Sequence, residues 1–168
     1  MLSLRATKYN PKNRDDTGQG YCSEWISVSD IGSVFAGERL TPEAYLRVED
    51  NYVKVVEAFL LALKQPILEI TYFEKKYGEE HVPESILNLR PANLADIGMG
   101  SKLNKKEIGP CVRQNLREVL WCKLQGPSGI YIHFGYDFYM YLGCNEDVSL
   151  EKIQVDGIFL EPFPSPYH

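Results

Sequence analysis

Three absences constrain this 168-residue chain before any single residue is considered. It has no long apolar run. The longest, ending at Leu63, falls far short of the roughly 20 residues that cross a bilayer, which argues against an integral membrane protein. The N-terminus turns polar by Arg5 and carries no stretch of roughly 7 to 15 apolar residues like that of a signal peptide, so cytoplasmic residence is expected. The second absence is of clustered metal or redox ligands. Cysteines stand at 22, 111, 122 and 144 with no C-x-x-C pair, and histidines at 81, 133 and 168 stand alone. That pattern argues against zinc and against a redox motif, and the thiols are expected to be small buried hydrophobes without disulfides. The third is of positive charge. With 18 basic against 23 acidic residues, the formal charge of −5 disfavours direct binding to DNA or RNA, whose phosphates need Lys and Arg. Phosphate loops and the G-x-S-x-G elbow are missing too, and no cofactor is expected.

What is present is 44% hydrophobic content, enough for one domain over residues 1–168, and an uneven charge distribution. Residues 15–50 hold eight acids (Asp15, Asp16, Glu24, Asp30, Glu38, Glu43, Glu49, Asp50) against Arg39 and Arg47, whereas residues 101–123 hold six bases and two acids. An acidic patch of this kind attracts a cationic partner.

The strongest periodic signal lies in "TPEAYLRVEDNYVKVVEAFLLALKQP". Thr41 suits an N-cap, Pro42 the first helical position, and Gln65-Pro66 a stop. Tyr45, Val48, Tyr52, Val55, Val56, Phe59 and Leu63 share one arc, opposite a charged stripe of Glu43, Arg47, Asp50, Lys54 and Glu57. Glu49 breaks the pattern by sitting at the edge of the apolar arc. It either pairs with Arg90, Arg113 or Arg117 to pin the helix, or forms the rim of a binding surface.

Strands are expected at "LSLRATKY", "ILEITYFE", "IFLEPF", and in a hairpin of "VLWCKL" and "IYIHF" around "QGPSG". A simple hairpin register sets Cys122 opposite Ile132 and Trp121 opposite His133. Residues 74–104 read as loops around an extended "SILNLRP", Gly109-Pro110 threatens to break a helix in "KEIGPCVRQNLRE", and "SLEKIQVDG" fits a short helix. The stretch "HFGYDFYMYLG" alternates. Ile130, Ile132, Phe134, Tyr136, Phe138, Met140 and Leu142 take one face, and Tyr131, His133, Asp137, Tyr139 and Tyr141 the other, with a bend or three-residue turn at Gly135 to Phe138. The proline-rich end "PFPSPYH" should run as an extended tail. The sum is an α+β fold, a mainly antiparallel sheet with one long amphipathic helix packed on it.

No catalytic motif emerges. The hairpin register puts Cys122 and His133 on opposite faces, and His133 and Asp137 are far apart on a straight strand, though a turn brings them closer. An enzyme using His133 and Asp137, or a non-catalytic ligand-binding domain, therefore stay as alternatives. The aromatic face of Trp121, Tyr131, Tyr139 and Tyr141 is either covered by the chain itself or open to a partner.

Four segments, "DIGSVFAGERLTPEAYLRVEDNYV" (30–53), "LREVLWCKL" (116–124), "HFGYDFYMYLG" (133–143) and "GIFLEPFPSPY" (157–167), together resemble a family of bacterial immunity proteins. These are the antidotes of polymorphic and contact-dependent inhibition toxins. The resemblance implies a cytoplasmic protein without enzymatic activity that binds the C-terminal domain of a cognate toxin. That toxin is expected to be a basic nuclease, with a ribonuclease favoured, and the acidic segment suits such a partner. Charge and aromatic placement nominate Asp30, Glu38, Glu49, Asp50, Tyr136, Asp137, Tyr139 and Tyr141 as contact residues.

Overall fold

A computed structural model describes residues 1–14 and 23–168; Asp15, Asp16 and Cys22 lie outside the described residues. The architecture is α+β, as expected. Strands β1 (Leu2–Thr7), β4 (Ile67–Lys75), β5 (Lys102–Asn104), β6 (Leu120–Gln125), β7 (Tyr131–Phe134), β8 (Tyr139–Cys144) and β9 (Phe159–Pro162) form one sheet in the order β5-β4-β6-β7-β8-β1-β9. Every neighbouring pair in it is antiparallel. A small hairpin, β2 (Val34–Phe35) and β3 (Glu38–Arg39), stands apart. Helices α1 (Pro42–Ala62), α2 (Glu84–Leu89) and α3 (Lys105–Leu116) complete the fold. Among the described residues, no helix is long and apolar enough to cross a membrane.

Helix α1 begins as its sequence dictates: the Thr41 side chain accepts from the Ala44 amide at 3.1 Å, and Pro42 occupies the first turn. It ends in a Schellman closure. The Gln65 amide reaches back to the Leu60 carbonyl at 2.9 Å and the Lys64 amide to Leu61 at 3.1 Å, with Lys64 in the left-handed region at φ +52°. Tyr52, Val55, Val56 and Phe59 join Leu4, Ala6, Ile70, Leu124, Ile132, Met140 and Leu142 of the strands in one core. Leu46, Val53 and Leu60, outside the expected arc, are buried as well. The arc is wider because α3 packs along a second flank, where Gly109 lies against Val53.

Four local expectations change. The hairpin of β6 and β7 pairs Lys123 with His133 and Leu124 with Ile132, two residues from the simple register, because the loop from Gly126 to Ile130 closes on itself. A shift of two keeps every side chain on its expected face, so Cys122 and His133 remain on opposite sides. "SILNLRP" is helical, not extended. Helix α2 follows Pro83 and docks on α1, with Ile86 its one fully buried residue and Val82 buried just ahead of it. Helix α3 runs through Pro110 without a break. Its start is fixed by a capping box between Asn104 and Glu107, and the carbonyl that Pro110 leaves unbonded belongs to exposed Lys106. In 149–157 only a single 3-10 turn, Leu150–Lys152, forms.

Candidate functional site

The ion-pair question at Glu49 resolves inward. Its carboxylate has no exposure and takes two bonds from Arg117, at 2.8 and 2.6 Å, and one from Arg113 at 2.8 Å. Asp50 beside it binds Arg90 and Arg113. Glu49 is therefore not a surface contact: Arg113 of α3 and Arg117 just after it seal the carboxylate, because an unpaired buried carboxylate is costly. Among the described residues of this acidic segment, Glu24 pairs with Lys8 while staying exposed, Asp30 accepts from the amides of Ile26 and Ser27 at 2.8 and 3.1 Å, and Glu38 and Glu43 are exposed.

The aromatic face has a similar outcome, and Tyr141 is a second correction. Residues 163–168 cross the sheet as a strap from β9 over β1, β8 and β7 to β6. Phe163 lies on Arg5 and near Tyr141, Tyr167 packs against Tyr141 and Trp121, and His168 against Tyr131 and His133. Tyr141 is buried beneath it, and Tyr139 is half-covered by Tyr9 and Arg5. Gly143 makes room for the Tyr131 ring, which would collide with any Cβ there. His133 is buried on this face. Its Nδ1 pairs with the Ser165 hydroxyl at 2.8 Å, while Nε2 meets no protein partner among the described residues. Burial, reinforced by the charges of Lys123 and His168, pushes its pKa down to about 4. Asp137 lies elsewhere, on a turn lining a pocket that His133 does not reach.

Tyr136 departs from the alternation. The Tyr139 amide donates to the Tyr136 carbonyl at 3.2 Å, and the two residues between, Asp137 and Phe138, have φ of +57° and +62°. Positive φ at both central positions is what a type I′ turn requires, usually met by Asn-Gly. Here the side chains hold it. Phe138 packs its ring among Trp25, Tyr45 and Tyr52, and the Tyr52 hydroxyl donates to the Phe138 carbonyl. The turn thus leaves Tyr136 74% exposed instead of on the core face.

Beside this turn lies a pocket of about 230 Å³ at the end of the sheet. Its floor is Leu116, Leu120, Phe134 and Phe138; Trp121 and Tyr167 form an aromatic wall; Tyr77 and Tyr136 stand on the rim with Glu74, Lys76, Glu118 and Asp137. The chain builds it by extending β4 past its last ladder pair. The amides of Lys76 and Tyr77 donate to the carbonyls of Val119 and Glu118, so the end of β4 grips the α3–β6 connection. Trp121 is locked by its indole N–H on the Phe134 carbonyl at 2.7 Å, and Ser27 donates to Glu118 at 3.1 Å. Of the residues nominated from sequence, only Tyr136 and Asp137 line it. Asp30 stands behind the rim through Ile26 and Ser27, whereas Glu38 sits on the small hairpin. Glu74, Tyr77, Glu118 and Tyr167 were not nominated, since only the β4–β6 register and the strap bring them together.

Cys111, Cys122 and Cys144 are buried free thiols. Cys111 and Cys122 lie 3.6 Å apart, and Asn115 binds the Cys122 sulfur and amide, tying α3 to β6. Among the described residues no group of His, Cys, Asp and Glu is arranged to hold a metal ion. Compared with models of known families, with curated proteins and with solved structures, the chain matches none.

Proposed function

We propose that this chain is an immunity protein of a bacterial polymorphic-toxin or contact-dependent inhibition system. In this reading it acts in the cytoplasm, without catalysis, by binding the C-terminal domain of its cognate toxin and occluding the active site or substrate cleft. The partner is a basic nuclease, a ribonuclease being favoured. The observation that carries this reading is the rim of the sheet-end pocket. Tyr136 and Tyr77, 74% and 69% exposed, line the pocket together with Trp121, three carboxylates and one lysine. Tyr, Trp and Arg dominate the energetics of protein interfaces, and a carboxylate-rich rim favours encounter with a basic partner. The acidic segment contributes less than its sequence promised, since Glu24, Asp30, Glu49 and Asp50 are engaged within the fold. The test is a titration of this protein into the toxin domain encoded by the neighbouring reading frame. Nuclease activity should fall to zero at one equivalent. Undiminished activity at a large excess refutes the proposal.

A further inference from the structure

We propose that the sheet-end pocket is a receptor for one guanidinium group, an arginine side chain that the partner presents. The inference rests on the binding role proposed above and adds the chemistry of its anchor.

Charge comes first. Lys76, the pocket's one lysine, is held by Glu74 at 3.0 Å. Glu118 and Asp137 are left, and neither pairs with a cation among the described residues. Glu118 takes a single bond from the Ser27 hydroxyl, on Oε2. Two carboxylates without a cationic partner among the described residues, in a pocket that aromatic rings also line, favour a cation over an anion or a neutral group. Shape narrows the choice further. A guanidinium is planar, stacks on aromatic rings and donates in a fork to carboxylates, whereas an ammonium is a compact, strongly hydrated point charge. Trp121, Tyr167 and Tyr136 supply rings and Glu118 and Asp137 the acceptors. Size agrees, because about 230 Å³ falls below the roughly 300–1,000 Å³ of small-molecule sites and suits a single side chain.

The test titrates the full chain with Nα-acetyl-arginine methylamide and with its citrulline counterpart, which has nearly the same shape without the charge. The readout is amide and indole chemical shifts. The arginine compound should move Glu118, Tyr136 to Phe138 and the Trp121 indole, and bind at least 10-fold tighter than the citrulline compound. Glu118→Gln combined with Asp137→Asn should abolish that preference. Asn tolerates a left-handed backbone and Gln still accepts from Ser27, and Asp137→Asn alone serves if the double variant does not fold. Equal binding of the two compounds, or shifts confined to other regions, overturns the inference. Toxin neutralisation that persists without guanidinium binding overturns this inference alone. Guanidinium binding by a chain that gives no protection overturns the proposed function alone.

Discussion

A carboxylate with no exposure, gripped by two arginines, fastens α1 to the rest of the molecule, and removing its charge should reveal how much depends on it. Glu49→Gln leaves Arg117, itself almost fully buried, without a counter-ion, and the expected loss is about 3–5 kcal/mol in chemical denaturation. A loss below about 1 kcal/mol contradicts this account of Glu49. His133 gives a pH signature. The unfolded chain takes up its proton near pH 6.5 and the folded chain only near 4, so between those values the unfolded state binds more protons. The contribution is therefore fully present above about pH 6.5 and is lost as pH falls toward 4. Thermal midpoints across that window should decline, and His133→Gln should flatten the decline. An unchanged slope in the variant assigns the effect to other groups.

At the scale of elements, two strained positions make opposite predictions. Lys64 closes α1 from the left-handed region, where glycine carries no Cβ penalty, so Lys64→Gly should stabilise the protein by roughly 0.5–1 kcal/mol. Phe138 has positive φ too, but its ring is buried among three aromatic residues. The expected cost of Phe138→Ala is about 3–4 kcal/mol, and thermal unfolding of both variants checks the pair. What sequence could and could not convey follows the same division. Helix α1, six of the strands (β1, β4 and β6 to β9) and the ill-placed charge of Glu49 were legible, because periodicity and caps are local signals, whereas the short β2, β3 and β5 gave no pattern of their own. The β6–β7 register, α2 and the passage of α3 through Pro110 were not, since each depends on which surface the segment meets.

Taken as a whole, the molecule engages half of its eight nominated contact residues internally: Asp30 caps its own turn, Glu49 and Asp50 fix helices, and Tyr141 lies under the strap. Apart from the exposed Glu38, what remains outward is a place where five separate segments converge, Ile26, the end of β4, the α3–β6 connection, the β7–β8 turn and Tyr167 of the strap. Only the Tyr136-Asp137 part of it was visible in the sequence, through an unusual density of aromatic residues around one acid. Tyr77 and Glu118 are 41 residues apart in the numbering yet share a backbone hydrogen bond, a proximity no local pattern encodes. The most direct measurement is growth of bacteria expressing the toxin domain encoded beside this chain, with the wild-type protein and with Tyr77→Ala/Tyr136→Ala. Both changes lie at exposed positions and should leave the fold within about 0.5 kcal/mol of wild type per site. The wild type should restore growth and the folded double variant should fail to do so. Growth arrest despite abundant wild-type protein would contradict the account.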